Sequence, residues 1–206
     1  MVIEEMKTMT NATKDVSELR ARTGAGVMDC KKALEEAKGD VNLAAEILRK
    51  KGIAKADKRA GRSASQGVVV SYIHHNGQVG VLLELNSETD FVARTEAFQQ
   101  LARDLALHVA SADPIGVTAE DIPADLIERE RRIAEEQVAA EGKPENIRAK
   151  IVEGKVKKFI AERTLLEQPY VKDETKKVSD LIKEVAGTVG EAVAVKRFAR
   201  FKVGEA

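Results

Sequence analysis

The sequence predicts an α+β fold: an N-terminal module of three short helices, then a three-stranded antiparallel sheet packed with helices and a projecting helical hairpin. Three observations predict it. Apolar residues recur at three-and-four spacing in short blocks before Gly52, two β-branched or aliphatic runs flank the turn pair Asn76-Gly77, and a third alternating run closes the chain.

The first dozen residues show no clean period and read as a flexible tail, 1–12. Val16 and Leu19 then lie one turn apart on a short helix that Gly24-Ala25-Gly26 stops. Val27, Cys30, Ala33, Leu34 and Ala37 form the stripe of a second helix ended by Lys38-Gly39. Asp40 is a suitable N-cap for a third, whose stripe is Val41, Ala44, Ala45, Ile47 and Leu48 and which Gly52 closes. These make a three-helix domain over 13–52. Residues 53–66 mix Ala, Gly and Ser with Lys55, Lys58, Arg59 and Arg62 and read as a basic linker, leaving 67–206 as the core domain.

Within that core domain Val68 to Ile73 and Val79 to Leu85 form a β-hairpin around Asn76-Gly77. A helix follows from about Thr95 to Ser111 with Phe98, Leu101, Leu105 and Val109 on one stripe. Two more helices, broken at Gly142-Lys143-Pro144, make a helical hairpin over about 125–163. A helix from about Val178 to Val189 and a strand from Val193 to Phe201 complete the chain. A lone hairpin of strands is marginal, so the last strand is expected to join it.

Charge narrows the function. The 34 basic and 34 acidic side chains cancel, but not evenly: residues 1–66 carry +4, residues 67–140 carry −8 and residues 141–206 carry +4. A nucleic-acid binder could use Lys50, Lys51, Lys55, Lys58, Arg59 and Arg62, yet no stacking aromatics interleave them and the centre is acidic, so direct nucleic-acid binding is not expected. No run nears the roughly 18 apolar residues a membrane span needs, and the start lacks the pattern of a secretory signal, so a cytoplasmic protein is expected. Cys30, the single cysteine, falls on an apolar stripe, where a small buried hydrophobe fits better than a reactive thiolate. His74 and His75 are adjacent, outside any nucleophile or metal-binding pattern, and neither Gly24-Ala25-Gly26 nor any other segment makes a nucleotide-binding loop. No catalytic residue, cofactor or metal is expected, and the chain does not read as an enzyme.

Asn86-Ser87-Glu88-Thr89-Asp90-Phe91-Val92-Ala93-Arg94 stands apart, a segment rich in capping side chains with an aromatic outside any period. Two readings are open: Ser87, Thr89 or Asp90 caps the following helix while Phe91 staples it to the core, or a rigid turn presents Phe91 to a pocket on a partner.

Thr89-Asp90-Phe91-Val92, preceded by Leu83-Glu84-Leu85-Asn86, resembles the signature of the elongation factor Ts family. The run from Leu19 to Leu34, Gly142-Lys143-Pro144, Val152 to Phe159, Gln168-Pro169-Tyr170-Val171 and Arg197-Phe198-Ala199-Arg200-Phe201 are similar to further family segments, so the resemblance covers about residues 13 to 204. It implies a guanine-nucleotide exchange factor of translation elongation whose partner is elongation factor Tu. It implies that the three-helix module is ubiquitin-associated-like and docks on the partner's GTPase domain through Arg20, Val27 and Met28. It implies that Thr89, Asp90, Phe91 and Val92 dislocate the partner's Mg²⁺, with Phe91 as a wedge and Asp90 holding the turn, and it suggests His75 as a further contact. The chain resembles the short family form, which implies a homodimer through the sheet region.

Overall fold

The computed structural model describes residues 2–205 apart from Ala60 and Lys143, with side chains from residue 13 onward. Its elements are α1 (Val2–Thr23), α2 (Val27–Glu36), α3 (Val41–Asp57), β1 (Gln66–Ile73), β2 (Val79–Ser87), α4 (Asp90–Ala93), α5 (Glu96–Ala112), α6 (Ala124–Ala140), α7 (Glu145–Arg163), β3 (Pro169–Tyr170), β4 (Asp173–Lys177), α8 (Val178–Val189) and β5 (Val193–Lys202). The fold is α+β, and the three-stranded antiparallel sheet has the order β1-β2-β5, with the C-terminal strand beside the hairpin. Backbone contacts divide the chain into two compact units. One combines residues 1–67, 87–98 and 182–194; the other combines 68–86, 99–181 and 195–206.

In the first unit the three N-terminal helices close on a small core of Leu19, Cys30, Ala33, Leu34, Ala37 and Ala44. Four of these six residues are alanine or cysteine, which lets the helices approach closely; the Cys30 thiol reaches the Ala25 carbonyl at 3.6 Å. Asp40 caps α3 as its position predicts, accepting from the amides of Asn42 and Leu43 at 2.8 and 3.0 Å. Gly24, at φ +66°, makes the turn between α1 and α2. No glycine or proline interrupts Val2 to Thr23, and the backbone of α1 runs through most of the segment read as a tail; the side chains of 1–12 lie outside the described residues, as does Lys143 of the hairpin turn.

Gly52 does not close α3, which continues to Asp57. Its role is contact. A Cβ added at Gly187 of α8 would sit 2.6 Å from the Cα, carbonyl carbon and oxygen of Gly52, so the two helix backbones meet with no side chain between them. Ion pairs Arg49–Glu184 (2.6 Å), with the carboxylate largely buried, and Lys183–Asp57 (2.8 Å) flank this crossing; the second is exposed and contributes little beside it. The three-helix module is thereby part of the same unit as the 87–98 segment.

In the second unit Val81, Leu83, Leu85 and Val195 on one face of the sheet, together with Leu101, Leu105 and Val109 of α5, are buried. The opposite face leaves Val69, Ile73, Leu82 and Phe201 exposed. The hairpin turn forms at Asn76-Gly77, with Gly77 at φ +68° and its amide on the His74 carbonyl at 2.8 Å. Helices α6 and α7 make the expected helical hairpin over a separate seam of Ala134, Val138, Val152 and Val156. The small β3-β4 hairpin has no strong period in the sequence. It is organised by His108 of α5, fully buried, whose Nδ1 accepts from the Val171 amide at 3.2 Å while Nε2 lies 2.9 Å from Gln168 Oε1. Because Nδ1 accepts, Nε2 carries the proton and donates. Burial pushes the His108 pKa down and keeps the ring neutral. Gln168 in turn donates from Nε2 to the carbonyls of Glu162 (2.7 Å) and Ala112 (3.3 Å), so the buried amide is satisfied on both ends.

The glycine crossing predicts an asymmetry. The nearest atom to a Cβ added at Gly52 is 3.6 Å away, an ordinary contact. Gly52→Ala should therefore stabilise the chain by about 0.5–1 kcal/mol through lost helix entropy in the unfolded state. Gly187→Ala should cost about 1–3 kcal/mol through overpacking against backbone that cannot rotate away. Paired urea denaturation curves check both signs.

Candidate functional site

The candidate site is the turn between β2 and α5. Ser87, fully buried at the end of β2, donates from Oγ to the Thr89 carbonyl at 2.8 Å. Thr89, in extended conformation, caps the four-residue helix α4, its Oγ1 accepting from the Val92 amide at 3.4 Å. Thr95 Oγ1 donates to the Val92 carbonyl at 2.8 Å and closes the far side. Val92 and Ala93 face inward, whereas Phe91 is 78% exposed. The capping reading is right for Thr89; the stapling of Phe91 to the core is not, because the inward positions of this short helix fall on Val92 and Ala93.

A helix this short has no stability of its own. Its geometry comes from a loop about a hundred residues later. Gly190, at φ +79°, ends α8 with its amide on the Ala186 carbonyl and turns the chain so that Glu191 meets Thr89. The Glu191 carboxylate takes the Thr89 amide on Oε2 (2.9 Å) and the Thr89 hydroxyl on Oε1 (2.7 Å). Reciprocally, Glu88 Oε1 accepts the Ala192 amide at 2.7 Å, and Arg62 lies 3.4 Å from Glu88 Oε2. The Ala192 amide is the main reason the Glu88 carboxyl titrates below the ordinary carboxylate range; partial loss of water opposes it and Arg62 adds to it. Asp90 pairs with Arg94, one helical turn on, at 2.7 Å.

Arg20 lies exposed on the last turn of α1, and Val27 and Met28, 51% and 64% exposed, open α2. They flank one three-residue turn, tied by the Gly24 amide on the Arg20 carbonyl at 2.8 Å. This apolar pair with a cation beside it belongs to the same unit as Phe91. His75 lies in the exposed β1-β2 turn of the other unit, its ring 4.2 Å from that of His74, which lies 3.0 Å from the Tyr72 hydroxyl. Of the basic run at 50–62, Lys51 pairs with Glu36, Lys55 with Asp29 and Arg62 with Glu88. Among the described residues no helix is long and apolar enough to cross a membrane.

The family whose sequence model matches is Elongation factor TS, over residues 4–205. The chain belongs to the elongation factor Ts family. It is 54% identical to elongation factor Ts of Thermosipho melanesiensis over 194 residues, 94% of this chain and 99% of that one. Identity to the Thermotoga maritima protein is 54% over 190 residues, 92% and 94% of the two chains, and to that of Desulfosudis oleivorans 51% over 190, 92% and 96%. Membership makes this a translation elongation factor.

Sequence reasoning identified the Thr89–Val92 turn in this family member but missed Glu88, Glu191 and Ala192 as the groups that hold it. The one local sign was Gly190-Glu191 directly after an amphipathic helix, and nothing in it names Thr89 as the partner. The depressed Glu88 pKa gives a pH prediction. For a carboxylate whose folded pKa is lowered, the stabilisation is present above the ordinary value of 4.5 and is lost as pH falls through the lower folded pKa. The Ala192 amide resonance should accordingly titrate with a midpoint below 4.5 in two-dimensional NMR, and Glu88→Gln should abolish that titration.

Proposed function

We propose that this chain is a guanine-nucleotide exchange factor for elongation factor Tu: it binds the GDP-loaded GTPase, promotes release of GDP and leaves the empty protein free to take up GTP. The observation that supports this most is Phe91, a large aromatic almost wholly in solvent on a turn whose backbone is fixed on both flanks. Exposing such a ring is unfavourable for a monomer in water, and presenting it in one conformation lowers the ordering cost of inserting it into a partner.

In this reading Phe91 wedges between side chains beside the partner's magnesium site, with Thr89, Asp90 and Val92 shaping the turn around it. Mg²⁺ requires near-octahedral oxygen ligation, so a small displacement of its ligands weakens nucleotide binding disproportionately. Linkage supplies the rest: a factor that prefers the empty GTPase lowers nucleotide affinity by the same free energy that nucleotide lowers its own binding. No covalent bond is made or broken by the factor, so the reading assigns it no catalytic residue. Arg20, Val27 and Met28 dock the three-helix domain on the GTPase domain, and His75 adds a second contact. The exposed sheet face with Val69, Ile73, Leu82 and Phe201 is the surface through which a second copy binds, an apolar area that a homodimer would remove from water.

Two measurements test these statements. Release of a fluorescent GDP from purified elongation factor Tu should be strongly accelerated by the wild-type chain. Phe91→Ala should weaken that acceleration at least roughly thirtyfold, the scale of an aromatic hot spot of about 2 kcal/mol. Light scattering at micromolar concentration should give twice the protomer mass for wild type and the protomer mass for Leu82→Glu, whose side chain already lies in solvent.

A further inference from the structure

We propose that Glu191 is the positioning residue of the exchange turn, acting through Thr89 to hold the short helix that carries Phe91; the inference rests on the exchange reading above. The resemblance points to Asp90 for this task. Asp90, however, lies in an exposed pair with Arg94 on its own helix, a class of contact that adds little rigidity. Glu191 comes from a separate loop, 102 positions along the chain, and both its carboxylate oxygens are used on Thr89.

The way they are used matters. Thr89 Oγ1 has one proton and two lone pairs. Donating that proton to Glu191 Oε1 at 2.7 Å fixes the hydroxyl rotor and leaves a lone pair directed at the Val92 amide, the cap of α4. The charge on Glu191 polarises this chain of bonds and strengthens the cap beyond what an isolated threonine provides. The second oxygen takes the Thr89 amide, fixing the residue immediately before the helix. The Glu88–Ala192 bond runs in the opposite sense between the neighbouring residues and prevents the two segments from sliding past each other. Phe91, two residues after Thr89, therefore takes its direction from Glu191 without touching it. Gly190 is part of the same device, since its left-handed dihedrals bring Glu191 to the turn at the end of α8.

The test is a double-mutant cycle on GDP release from elongation factor Tu, read as the maximal rate and the half-saturating concentration separately. Glu191→Gln keeps the shape but replaces one acceptor by a donor that opposes a Thr89 proton. It should lower the maximal acceleration about tenfold, the scale of a hydrogen bond to a charged group, while the half-saturating concentration moves less than about twofold. In the Phe91→Ala background the same substitution should have no further effect, because no ring remains to be positioned. Thermal unfolding of all four proteins is recorded alongside, since a purely structural role would lower the midpoint and impair exchange equally in both backgrounds. Equal losses with and without Phe91, or a Glu191→Gln protein as active as wild type, would overturn the proposal while leaving the exchange reading intact. A wild-type chain that does not accelerate release would overturn both.

Discussion

Two carboxylates exchanged for two amides hold the turn that exposes Phe91. Glu191 accepts from Thr89 and Glu88 accepts from Ala192, so residues 88–89 and 191–192 are cross-bonded in both directions. Charge-assisted bonds of this kind are stronger than neutral ones and have narrow geometry. They suit the problem that the site poses, because a helix of four residues cannot be maintained by its own backbone bonds, and an aromatic that points to solvent contributes no packing to keep it in place. The turn borrows its rigidity from a glycine-terminated helix far away in the chain.

The same unit includes the three-helix module, and the physical reason is the meeting of α3 and α8 at Gly52 and Gly187. Two backbones in contact leave little freedom for rolling or sliding, whereas larger residues would allow alternative packings. Two exposed surfaces, one around Phe91 and one formed by Arg20, Val27 and Met28, are thus built into one compact body. A partner engaging both does not pay separately to order a linker between them.

The second unit follows different rules. Its sheet is buried on one face and exposes Val69, Ile73, Leu82 and Phe201 on the other, and its helical hairpin has a private seam of small and branched residues. The irregular β3-β4 segment, which has no apolar period to define it, is organised by polar satisfaction: a buried neutral histidine and a glutamine that between them bond three carbonyl or amide groups from separate stretches of chain. The Gln168-to-Val171 motif was legible as part of a family pattern, but its reason, the requirement that His108 be paired, was not.

Periodicity determined the elements. Apolar spacing located the helices of the three-helix module and the helical hairpin, Asn76-Gly77 located the strand turn, Asp40 located a cap, and the alternation from Val193 located the strand that completes the sheet, because each is a consequence of local geometry repeated along a few turns or pleats. The turn at Thr89 was legible as a motif for the same reason that its capping residues are local. Tertiary structure alone decided what holds and what exposes: that Gly52 is a contact and not a stop, that Phe91 leaves the core, and that Glu191 and Glu88 secure the turn. Those outcomes depend on which distant segments meet, and a side chain 102 positions away leaves no periodic trace of its partner in the sequence.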